Sequence, residues 1–104
     1  MKRTYNNRWN AARDSNEPEI IRELQDAGVW VSRLNEKDVP DLLCGYKGVW
    51  FLVEVKTPTG SLEKGQQVFH ALAATHGLPI FVADHIDDTV TILRQVLEAP
   101  SELL

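Results

Sequence analysis

The chain has 104 residues, of which 43% are hydrophobic and 25% charged, and its formal net charge at pH 7 is −4. That length and balance suit one globular domain with a real core and a small margin of stability. No apolar run approaches the roughly 20 residues of a membrane span, and the single cysteine, Cys44, excludes both an internal disulfide and a thiolate metal site of its own. The polar start shows no signal peptide, so a reducing, cytoplasmic setting is expected. Charge is unevenly spread. Lys2, Arg3, Arg8 and Arg13 precede the first acid, Asp14, with Tyr5 and Trp9 interleaved. Residues 1–13 therefore read as a basic N-terminal arm, either solvated or following phosphates and stacking on bases, and residues 14–104 as the folded domain. The domain is acidic, with a patch at Asp84, Asp87 and Asp88.

A helix is expected from Asp14 or Ser15, with either residue or Asn16 as its cap. Pro18 suits its first turn, and Gly28 stops it. Ile20, Ile21, Leu24 and Ala27 form an apolar stripe, and Glu17 shares that side. An acid there needs a partner, whereas Glu19 and Glu23 fit solvent. Val29–Leu34 reads as a strand and Asn35–Val39 as a polar loop. Pro40 leads into a short strand from Asp41 to Gly45, and Tyr46-Lys47-Gly48 is a turn. Val49–Lys56 is a strand with Phe51, Val53 and Val55 on one face and Trp50, Leu52, Glu54 and Lys56 on the other. The short turn makes a hairpin, and its far end holds Asp41, Glu54 and Lys56. They converge if the register puts Asp41 on the face of Glu54.

A second helix is expected from the Ser61 cap to His76, with Val68, Phe69, Leu72 and Ala73 inward. Gln66 and Gln67 lie at its near end. Leu78–Ala83 is an apolar strand. Asp87 or Asp88 caps a last helix with Val90, Leu93, Val96 and Leu97 inward, which Pro100 ends. The order is α-β-β-β-α-β-α, an α/β domain around a mixed sheet flanked by helices.

Glu17, Pro40-Asp41, Glu54-Val55-Lys56 and Gln66 follow one another along these elements. Asp41 with Glu54-x-Lys56 matches the PD-(D/E)xK nuclease pattern. The segments Val39-Pro40-Asp41-Leu42-Leu43, Phe51–Lys56 and Ser61-Leu62 followed by Gln66 resemble the VRR-NUC branch of that group, and are similar to the archaeal-type Holliday-junction resolvases. The resemblance implies a restriction-endonuclease-like core and a metal-dependent DNA endonuclease. It implies Mg²⁺ or Mn²⁺ held by Asp41, Glu54 and the Val55 carbonyl, with Glu17 approaching directly or through water. Lys56 would orient or activate the attacking water, and Gln66 would position Lys56 or the phosphate. Gln67 stays an alternative to Gln66, and Glu19 to Glu17. The resemblance also implies branched DNA as substrate and, from the two-fold symmetry of a four-way junction, a homodimer.

The residue types make sense on chemical grounds as well. Hard oxygen ligands suit Mg²⁺ or Mn²⁺ and leave room for water and phosphate. Lysine supplies a point charge, or a base where its pKa is depressed. Arg33 reads as a phosphate contact or a solvated strand end. His70, His76 and His85 show no ligand spacing, and His70 and His76 are expected on helix surfaces. Trp30 and Trp50 are expected in the core. The alternative to an enzyme is a catalytically inactive nuclease-fold module that binds nucleic acid or protein, which the acidic net charge favours.

Overall fold

The computed structural model describes residues 15–103, with side chains through residue 98. The expected arm with Lys2, Arg3, Arg8 and Arg13 lies outside the described residues. The elements are α1 (Glu17–Asp26), β1 (Trp30–Arg33), β2 (Leu42–Tyr46), β3 (Val49–Val55), α2 (Lys64–Thr75), β4 (Ile80–Ala83) and α3 (Asp88–Leu103). This is the expected order.

The four strands form one mixed sheet in the order β1-β2-β3-β4. β1, β2 and β3 run antiparallel to one another, and β4 runs parallel to β3. Lys47 and Gly48 both take positive φ, 49° and 83°, the conformation that a two-residue hairpin turn requires. The parallel β4 needs a crossover, which α2 supplies.

The core lies on one face of the sheet. Ile20 and Leu24 of α1 and Ile92 and Val96 of α3 pack against Leu42, Cys44, Phe51, Val53, Val55 and Ala83. The strict alternation of β3 sends Phe51, Val53 and Val55 inward, as expected. Phe51 meets Phe81 edge to face at 5.8 Å.

Several expectations change in three dimensions. Trp30 and Trp50 are not core residues; they are 55% and 62% exposed. The register aligns Trp30 with Gly45 and Gly45 with Trp50, on the face turned away from α1 and α3. There the two rings meet edge to face at 5.5 Å, and a Cβ at Gly45 would come within 3.1 Å of the Trp50 ring. On α1, Ala27 is exposed because it lies past the last turn. On α2, Val68 and Leu72 are exposed and only Ala73 is fully buried, with Phe69 half-buried. The helix is rotated so that Gln66 and His70 face the sheet. It starts at Lys64 rather than Ser61, with Glu63 and Gln66 closing a capping box. On α3 the buried line is Thr89, Ile92 and Val96, while Val90 and Leu97 are exposed. The Asp88 carboxylate accepts from the N–H groups of Asp84 and His85 and sets that phase. The helix continues through Pro100 to Leu103; proline keeps helical φ, so this late position forfeits one backbone bond without reversing the chain.

Candidate active site

The register of β2 and β3 builds the site. The β2–β3 pairing ends at Leu42 with Val53, and Asp41 and Glu54 are the next residues on the two strands. Asp41 is held twice: its carbonyl accepts from Leu34 N–H at 2.8 Å, and its Oδ2 accepts from Val55 N–H at 2.7 Å. The first bond closes the 35–40 loop, and the second fixes the carboxylate beside the backbone of β3.

Glu54 is 1% exposed. A buried carboxylate is costly unless donors surround it. Two come from one face of α2: Gln66 Nε2 donates to Glu54 Oε2 at 3.2 Å, and His70 Nε2 lies 3.3 Å from Oε1. A carboxylate only accepts, so the imidazole donates its Nε2 proton. Burial first, and the Lys56 charge second, push the His70 pKa below its ordinary value, which favours the neutral ring. Gln66 Oε1 also accepts from Glu63 N–H at 2.8 Å, so this side chain is fixed at both ends. Gln67 instead donates to the Leu62 carbonyl at 2.9 Å and is exposed, so Gln66 is the glutamine at Glu54.

Lys56 follows the strand. Its N–H donates to Ala83 O at 2.9 Å, and its carbonyl accepts from Asn16 Nδ2 at 3.0 Å. The same Asn16 amide donates to Asp84 O at 3.2 Å, which ties the start of α1 to the ends of β3 and β4. Asn16 thus caps α1 by position while its side chain serves the sheet. Glu17, next in sequence, is 1% exposed, and its Oε2 lies 3.5 Å from Arg33 Nε. Glu19 faces solvent. The buried acid of α1 is therefore Glu17, and Arg33, expected at phosphate, pairs with it.

Lys56, Asp41 and Gln66 open onto a cleft of about 220 Å³, with Asn35, Lys37 and Glu63 also on its wall. At roughly 30 Å³ per water, that is room for several waters or a phosphate group. Asp38, with φ 68°, carries its carboxylate against Gly65 in the first turn of α2, where a Cβ would overlap it. The loop that walls the cleft is seated on the helix that holds Glu54.

Among the described residues, no three His, Cys, Asp or Glu side chains stand close enough together to hold a metal ion. The donor chemistry nevertheless suits a hard divalent ion: Mg²⁺ is commonly held by one or two carboxylates and keeps several waters, and Asp41 lines a cleft with space for them, although Glu54 is not among the groups that line it.

Sequence reasoning missed His70 and the tie made by Asn16. The signal for His70 was present, since Gln66 and His70 are four apart and share a helix face. Asn16 carried no comparable signal, because its partners lie 40 and 68 residues away.

A mixed four-stranded sheet flanked by helices, with a carboxylate pair and a lysine at the end of its second hairpin strand, defines a restriction-endonuclease-like α/β domain. Among solved structures, the chain is similar to one described as a VRR_NUC domain, with a TM-score of 0.65 and 21% sequence identity over 78% of this chain and 97% of that one. The fold expected from the resemblance is thus borne out. No family model and no curated protein matches the sequence. No helix among the described residues is long and apolar enough to cross a membrane.

Proposed function

We propose that this protein is a VRR-NUC nuclease, an Mg²⁺- or Mn²⁺-dependent endodeoxyribonuclease. The reading is supported by the β2–β3 pairing, which leaves Asp41 and Glu54 as the next residues beyond Leu42 and Val53, and by the cleft that Asp41 shares with Lys56. Asp41, Glu54 and the Val55 carbonyl would hold the ion, with Glu17 on the α1 side. When bound, a divalent ion supplies positive charge to the phosphate oxygens and makes water a better nucleophile at neutral pH. The chain's own residues do the rest. Val55 N–H keeps Asp41 oriented, Gln66 orients Glu54, and Lys56 faces the cleft as a fixed positive charge that offsets charge building on the phosphate. Water adds to phosphorus and gives up a proton to solvent as the bond to one sugar oxygen breaks, and that oxygen leaves with a proton from solvent.

Branched DNA, such as a four-way junction, is the substrate the resemblance favours, cut by a homodimer. The apolar groups left exposed on the molecule, Trp30, Trp50, Val68, Leu72 and Leu78, support association with a second copy. The basic arm, with Lys2, Arg3, Arg8 and Arg13, would track phosphates. Arg33 would contribute from its exposed side, since it is 51% exposed while paired with Glu17.

The test is a cleavage panel over junction, flap, single-stranded and duplex DNA with Mn²⁺ titrated in. Glu54→Ala and Lys56→Ala are expected to abolish cleavage with an unchanged circular dichroism spectrum; full activity in either overturns the assignment. A second reading, a module of the same fold that binds without cutting, is favoured by the lack of a gathered three-ligand group among the described residues. Binding of DNA without nicking at any Mn²⁺ concentration would select it.

A further inference from the structure

His70 is a titratable group beside Glu54 that the proposed reaction does not use. It sits on α2 one turn after Gln66, with its side chain 16% exposed, and its Nε2 lies 3.3 Å from Glu54 Oε1. Gln66 takes the other oxygen, Oε2, at 3.2 Å. We infer that His70 is a positioning residue: with Gln66 it grips both oxygens of Glu54 and fixes the plane of the carboxylate before an ion arrives. The inference rests on the nuclease reading above and adds a second holder to its central carboxylate.

The geometry of the site supports it. The two donors project from one rigid helix, so they move together. They reach different oxygens, Oε2 and Oε1, so together they oppose rotation about the last Glu54 torsion. Outer hydrogen bonds of this kind orient ligating groups, and their loss typically lowers metal affinity or activity about 10- to 100-fold.

Three substitutions separate positioning from packing. In His70→Gln the amide nitrogen takes the place of Nε2 and the grip survives. In His70→Asn the amide stops short of Glu54, and in His70→Leu the donor is gone while helix propensity is kept. Mn²⁺ affinity is measured by calorimetry on the full chain, and kcat and the half-saturating Mn²⁺ concentration are measured on the cleaved substrate. Glu54→Gln serves as the control for the ligand itself. The expected result is Mn²⁺ binding weakened about 10- to 100-fold in the Asn and Leu variants, near wild type in Gln, and lost in Glu54→Gln. If His70→Leu fails to fold, His70→Asn carries the comparison. Unchanged affinity in both the Asn and Leu variants, with Glu54→Gln still defective, overturns the role of His70 and leaves the nuclease reading standing. No Mn²⁺ binding by the wild-type chain overturns both.

Discussion

At Glu54 a carboxylate with 1% exposure stands at the end of an apolar strand, and burying such a charge without partners would cost several kcal/mol. α2 helps the strand hold its alternation by bringing Gln66 and His70 to the same point. Cys44 shows the opposite logic on the other face of the sheet. It is 0% exposed among apolar neighbours, and burial pushes its thiol up from 9.0 to about 12. A thiol that stays protonated and inaccessible is a poor nucleophile. Thiol reagents at pH 8 are expected to label Cys44 only as fast as the native state opens. Labelling followed by mass spectrometry should give a single addition in denaturant and almost none in buffer over the same interval. Rapid labelling of the folded chain would contradict the burial of β2.

Among the elements, α2 carries more of the site than its sequence suggests. Its inner face is Gln66, Phe69, His70 and Ala73, chosen by what Glu54 needs rather than by hydrophobicity alone. Its first turn also seats the 35–40 loop, because Gly65 leaves room for the Asp38 carboxylate. Gly→Ala in a helix ordinarily stabilises by about 1 kcal/mol. Here Gly65→Ala is expected to push Asp38 away and displace the wall of the cleft. Cleavage should fall about 10- to 100-fold, as for other small misplacements near a reacting centre, while the melting temperature changes little. Asp38→Gly added to Gly65→Ala should restore part of the rate, since it removes the clash and suits the positive φ at that position. A double variant no better than Gly65→Ala would assign the loss to something other than this contact.

The whole molecule has a one-sided core. α1 and α3 cover one face of the sheet thoroughly, whereas the other keeps Trp30 and Trp50 in solvent, and Val68 and Leu72 stay exposed on α2. Trp30 and Trp50, in contact with each other, form an exposed apolar patch, the kind of surface that marks interaction sites. If the patch joins two copies, light scattering should give a dimer mass for the wild-type chain. The double variant Trp30→Ser with Trp50→Ser should then run as a monomer at the same concentration with its circular dichroism spectrum preserved. A wild-type monomer, free and with junction DNA, would remove the dimer from the proposal.

Much of this was legible in the sequence because it depends on local physics. The alternation of Phe51, Val53 and Val55, the Lys47-Gly48 turn, the stop at Gly28 and the place of Pro18 all follow from backbone geometry and the period of apolar residues. The register of β2 on β3 was left open in the sequence, and the two-residue turn at Lys47-Gly48 sets it, pairing Leu42 with Val53. What only the tertiary structure decided were rotations and faces. Whether Trp30 and Trp50 point at the core depends on which side of the sheet α1 and α3 occupy, and a two-residue period gives two faces without saying which is covered. The inward stripes expected for α2 and α3 were each partly wrong, since Val68, Leu72, Val90 and Leu97 are exposed, while Gln66 and His70 of α2 face Glu54. His70 and Asn16 complete the site through partners brought near by the fold, not by the order of residues. Long-range polar contacts of this kind leave no period in a sequence, and they appear only once the chain has closed on itself.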